Sequence, residues 1–197
     1  MLKSYLKIGL LAAAMTAPTS DGVAAASLGL MTEPPVIATS DATVTYLEFF
    51  GDGDLSSFAA VIDFADGTMP DGTAFLDFGI GFELADPKMA GGGFSVFDDS
   101  GLFLGGDILD VGFVDDVIEL QFGALTGAAA GDFGDSVLAL IEFPPGFGMD
   151  PFAALTDGTD YTTAITILKV APIPVPGALP LLALGLGGLA VPMRLSA

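Results

Sequence analysis

The chain has no cysteine, no histidine and no tryptophan, and only 5 Lys and Arg against 25 Asp and Glu. Without cysteine there is no disulfide framework, so stability rests on packing, with bound cations as the available supplement. Without histidine, Ser-His-Asp and Cys-His mechanisms are excluded, and losing both residue types removes the usual zinc sites. Setting aside Asp21, Lys3, Lys7 and Arg194 leaves 24 acids against Lys88 and Lys169, a formal charge of −22. Such a surface repels nucleic acid, anionic lipid and acidic polysaccharide unless divalent cations bridge them. DNA and RNA binding are excluded on these grounds. No glycine-rich loop is followed by a phosphate-binding lysine, so nucleotide chemistry has no support.

What is present begins at the N-terminus. Lys3 and Lys7 precede an apolar run from Ile8 to Ala17, and a small-residue stretch ends at Val23-Ala24-Ala25-Ala26. This is the layout of a secretory signal peptide over residues 1–26, with Ala24 and Ala26 before the cleaved bond and Ser27 after it. The run is too short to span a membrane. Secretion machinery and a signal peptidase are the implied partners.

The C-terminus is equally patterned. Pro172, Pro174 and Pro176 lack backbone donors and push their predecessors out of helical geometry, which predicts an extended, exposed connector. From Ala178 to Met193 the chain is Leu, Ala, Gly and Val with two flanking prolines, and no charge falls before Arg194. That run approaches the ~20 residues a spanning helix requires. Arg194 can reach the cytoplasmic headgroups and fix the N-terminal side outside.

This tail resembles the PEP-CTERM class of bacterial sorting signals, and most closely its VPLPA-CTERM variant. Ile173, Pro174, Val175, Pro176 and Gly177 occupy the motif, Leu179 to Leu189 the Leu/Gly/Ala helix, and Arg194 the basic terminus. Members usually end in several Arg and Lys, whereas this chain has one. The resemblance covers residues 172–197. It implies handling by an exosortase-type membrane transpeptidase and export to the envelope of a Gram-negative bacterium, often with exopolysaccharide or biofilm matrix. The expected location is the cell surface or medium, with transient or stable anchoring in the inner membrane through the C-terminal helix.

Between the tags, residues 27–171 read as one acidic, mainly β domain. Strand patterns cover Ala42 to Phe50, Phe58 to Phe64, Ala74 to Leu84, Phe94 to Phe97, Leu102 to Leu104, Val111 to Val114, Val117 to Phe122, Val137 to Phe143 and Tyr161 to Val170. Turn signals include Gly51-Asp52-Gly53-Asp54, Asp98-Asp99-Ser100-Gly101 and Asp115-Asp116. Asp86-Pro87 is expected to stop a strand, and residues 27–40 and 144–159 to be loops. Gly123 to Gly134 reads as a loop or one helical turn. Short strands at regular spacing predict an antiparallel β-sandwich or jelly-roll-like fold, with 16 phenylalanines filling the core.

No catalytic constellation stands out. Asp99-Ser100-Gly101 matches a protease tripeptide but sits in a turn pattern. Calcium is the candidate cofactor, though none is required. Asp52 and Asp54, Asp98 and Asp99, and Asp115 and Asp116, with Asp107 and Asp110 nearby, offer oxygen ligands, and none completes an EF-hand loop. The leading expectation is a non-enzymatic surface or matrix protein that meets polysaccharide through Ca2+-bridged acidic loops. A lectin-like module using Tyr46, Tyr161 or exposed Phe side chains is the first rival. A two-carboxylate glycoside hydrolase is the second.

Overall fold

A computed structural model describes residues 27–172. Nine strands follow in chain order: β1 Thr32–Phe49, β2 Asp52–Val61, β3 Phe64–Asp66, β4 Phe75–Glu83, β5 Asp86–Asp98, β6 Gly101–Val114, β7 Val117–Thr126, β8 Val137–Glu142 and β9 Thr159–Val170. Two short helices, α1 Ala130–Phe133 and α2 Pro151–Ala154, lie before and after β8.

The mainly β expectation holds, but a single closed sheet takes the place of two facing ones. All pairings are antiparallel, and neighbours run β2-β4-β5-β6-β7-β8-β9-β1 before β1 returns to β2. Eight strands therefore form a barrel. β3 stays outside the ring, paired with Val36, Ile37 and Ala38 of β1. Closure depends on β1, which is 18 residues long with register shifts between Glu33 and Val36 and between Thr39 and Ala42. Bulges bend a strand and tighten its twist. Bent twice, β1 follows β9 from Thr32 to Tyr46 and meets β2 from Thr45 to Phe49. Alternation of inward and outward side chains is the same in a sandwich and a barrel, so it could not choose between them.

The interior is packed. Leu76, Phe78, Ile80 and Phe82 of β4 point inward, facing Val44, Leu55, Leu104, Leu120, Phe122, Ile141, Ile165 and Ile167 from the other walls. An apolar void of about 10 Å3 lies among Leu76, Phe78, Phe122 and Ile165. That is the lower limit for one water, and the walls offer it no partner. An eight-stranded barrel is just wide enough for its own side chains, and the phenylalanines use that width. Phe94 meets Phe122 edge-on at 4.8 Å between ring centroids.

Both barrel ends are covered. At one end Phe152 of α2 packs edge-on against Phe82 at 4.8 Å and Phe113 at 5.6 Å. There Phe143 and Phe147 also stack at 4.3 Å. Asp150 starts α2 by accepting the Ala153 N–H at 3.3 Å, with Pro151 in the first turn. At the other end α1 inserts the fully buried Phe133. The expected 144–159 loop is thus a plug with its own aromatic contacts.

Several strand limits move. Residues 32–40, expected as loop, belong to β1 despite Pro34 and Pro35. Asp86-Pro87 opens β5 rather than ending β4, and the two short runs 102–104 and 111–114 are one strand, β6. The predicted single run 58–64 splits into the end of β2 and the start of β3.

Candidate functional site

A concavity lies on the outside of the barrel, across β4, β5 and β6. Register places Asp77 opposite Ser95, and Ser95 opposite Gly105; one step along, Gly79 faces Gly93, which faces Asp107. The groove has a volume of about 380 Å3 and includes Phe58, Asp77, Ser95, Asp107 and Thr126 in its walls. Gly79 and Gly93 form its floor, where the absence of side chains exposes the sheet backbone. No Lys or Arg lines it.

Phe58 stands beside this floor for a local reason. A register shift between Ser57 and Ala60 bulges β2 outward, and Ala59 takes a left-handed conformation at φ 55°. The Ala59 N–H, turned out of the ladder, donates to Asp77 Oδ1. Phe58 is consequently 77% exposed. A second apolar feature borders the groove. Val61, Phe75, Phe97 and Leu102 lie directly opposite one another on four adjacent strands, all facing out and each exposed by between 37% and 50%.

The glycines on this face divide into two kinds. Gly92 has φ +124°, and a Cβ there would lie 2.1 Å from the Gly79 carbonyl oxygen; at Gly93 it would lie 2.5 Å from that of Gly106. Those two are required by the backbone. At Gly79, Gly81 and Gly91 a Cβ would meet nothing within 4 Å. Each of these three costs the strand roughly 0.5–1 kcal/mol relative to alanine. A glycine inside a strand leaves room for a bulge, a bend, or the close approach of a ligand or another backbone.

The sequence-predicted acids are spread around the barrel. Asp98 Oδ2 accepts the Asp71 N–H at 2.9 Å and Oδ1 that of Ser100 at 2.8 Å. These donors, Asp71 foremost, hold Asp98 below the ordinary carboxylate range. Asp116 accepts the Gly148 N–H at 2.8 Å and the Gly146 N–H at 3.0 Å, and is lowered for the same reason, Gly148 first. Both carboxylates clasp loops. Asp99 lies against Gly72, and Asp115 occupies a left-handed turn position at φ 47°. Asp52 and Asp54 point outward from the start of β2, where register sets them opposite Glu83 and Gly81. Among the described residues no three Asp or Glu side chains gather as a metal site would need. Asp99-Ser100-Gly101 sits in the β5–β6 turn.

Of the tyrosines expected as sugar platforms, Tyr46 is buried and Tyr161 half-buried. Tyr46 is 2% exposed, and burial first, then Glu48 and Asp157, push its phenol upward. Tyr161 packs edge-on against Phe143 and Phe147, with its hydroxyl accepting the Thr156 N–H at 2.7 Å. Phe58 is the exposed ring in the groove wall, while Phe49, Phe50 and Phe64 are exposed elsewhere. Only the general expectation of exposed Phe pointed to Phe58.

Ser27 is the one cleavage-site residue within the described range. Its hydroxyl donates to both oxygens of Glu119 at 2.8 and 3.1 Å, and the Leu28 N–H donates to Oε2. Glu119, on the outer face of β7, is thereby covered to 8% exposure. Ala24, Ala26, the motif Ile173 to Gly177, the hydrophobic segment and Arg194 lie outside the described residues. Among the described residues no helix is long and apolar enough to cross a membrane. Comparison with known proteins finds no matching family model, no matching curated protein and no matching solved structure.

Proposed function

We propose that the chain is an exported, non-enzymatic component of a bacterial cell surface or extracellular matrix, delivered by an N-terminal secretion segment. In this reading the C-terminal segment is handled by an exosortase-type transpeptidase, and the barrel is the module put on display. The observation that supports it is where the two tags join. The Ala171 N–H donates to the Met31 carbonyl at 2.8 Å, so the start of β1 and the end of β9 leave the barrel side by side. Ser27 and Pro172 are both exposed. Proteases and transpeptidases can therefore reach both joints without opening the packed sheet.

A non-catalytic reading of the groove agrees with its openness. In it Asp107 is exposed and Asp77 accepts a backbone N–H. The test is intact-mass analysis of protein recovered separately from the cytoplasm, envelope and medium of the producing cells. A species beginning near Ser27 and ending close to the 174–176 hinge is expected. A cytoplasmic species of full length, with neither end removed, would overturn the reading.

A further inference from the structure

We propose that the outer-face groove over Gly79 and Gly93 binds a neutral pyranose unit of a polysaccharide; this rests on the surface-display reading and names the ligand of its groove. Three independent observations converge on it. The floor is bare at Gly79, and the bare strip continues through Gly81 and Gly91, although a Cβ at any of the three would meet nothing within 4 Å. A flat ring can therefore approach the sheet to van der Waals distance there and nowhere that a side chain intervenes. Phe58 is held out over that floor by a bulge fixed through Ala59 and Asp77. Bulges re-aim side chains in this way, and an exposed ring offers an apolar face to the C–H face of a sugar. The polar groups around the groove are Asp77, Asp107, Ser95 and Thr126, a set dominated by acceptors.

Charge selects among ligand classes. With no Lys or Arg in the lining and a domain charge of −22, phosphorylated, sulfated or uronic-acid ligands are repelled. A ligand rich in hydroxyl donors matches the carboxylate acceptors, and hydrogen bonds to charged acceptors are the stronger kind. The groove, at about 380 Å3, falls at the lower end of small-ligand sites. That size suits a short stretch of chain rather than a folded partner. The neighbouring Val61–Phe75–Phe97–Leu102 row extends the apolar surface for further sugar units.

The experiment is affinity electrophoresis of the purified full chain in gels containing dextran, soluble β-1,3-glucan, mannan or alginate. At least one neutral glycan is expected to retard it, and alginate, being acidic, is not. Phe58→Ala and Asp107→Asn should each weaken retardation about tenfold, while their thermal midpoints stay within a degree or two of the parent. Gly79→Val should abolish retardation with its midpoint unchanged or raised. Three results would overturn the proposal: no neutral glycan retards the chain, alginate does so instead, or Gly79→Val binds like the parent. Protein found processed at the cell surface yet failing here would refute the ligand and leave the surface-display reading standing.

Discussion

The barrel interior and the outer face of β4 and β5 are built from the same strands under opposite rules. Inside, Leu76, Phe78, Ile80 and Phe82 are each 5% exposed or less, and nearly every volume is taken. One residue outward, Phe75 is two-fifths exposed, Asp77 is tied to a bulge, and Gly79 and Gly81 are empty. Packing explains the first series completely. It explains little of the second, since a Cβ at Gly79 or Gly81 would meet nothing within 4 Å and a glycine weakens the strand that holds it. The comparison teaches that a site on a packed barrel is found by asking which positions the fold leaves undetermined.

The interior half of the comparison is broken most severely at Phe122, which is 1% exposed and packs edge-on against Phe94. Phe122→Ala should cost about 3–5 kcal/mol, visible in denaturant titration as a lowered midpoint at unchanged slope. The next effect separates two glycines of the same groove floor. Gly93→Ala drives a methyl group to 2.5 Å from the Gly106 carbonyl oxygen and should destabilise by about 1–3 kcal/mol. Gly79→Ala should leave stability unchanged or raise it by up to about 1 kcal/mol. Equal losses at both positions would end the distinction between required and unrequired glycines.

A smaller effect sharpens the interior rule. Thr163 Oγ1 and Ser57 Oγ are buried without a hydrogen-bond partner. Thr163→Val removes an unpaired hydroxyl and should stabilise by about 1 kcal/mol, read by thermal or chemical unfolding. The smallest effect concerns the loop-clasping acids and needs a pH series. Asp98 and Asp116 are held below the ordinary carboxylate range, so their stabilisation is complete above the unfolded-state value of about 3.9. It is lost as pH falls through their lowered folded-state values. Asp116→Asn should therefore unfold earlier than the parent at pH 6, and the gap should narrow as pH falls below the ordinary carboxylate range. A gap independent of pH would assign the effect to shape rather than charge.

Much of the scaffold was legible in the sequence. The alternation of Phe75, Asp77 and Gly79 with Leu76, Phe78 and Ile80 gave β4 nearly to its ends, and the run Tyr161 to Val170 gave β9 but for its first two residues. The first half of β1 was hidden because Pro34, Pro35 and the polar Thr39-Ser40-Asp41 mimic loop chemistry. Barrel closure was hidden because strand alternation carries no information on which strand meets the first. The groove was least legible. Gly91-Gly92-Gly93 after Asp86-Pro87 looks like a turn, and only the register that sets Gly79 opposite Gly93 turns scattered glycines into a surface. Phe58 likewise resembled one more core phenylalanine until the bulge at Ala59 turned it outward. Asp98 and Asp116 suggested ion ligands by their clustering, and their oxygens are occupied by backbone N–H groups of neighbouring loops.

The most direct test follows backbone amide chemical shifts of the full chain while a retarding neutral glycan is titrated in. The account predicts that changes concentrate at Phe58, Gly79, Gly93, Ser95 and Asp107, with the inward positions Phe78 and Ile80 shifting less. Changes confined to the hairpin tips around Asp52, Ser100 and Asp115, with the groove amides still, would contradict it.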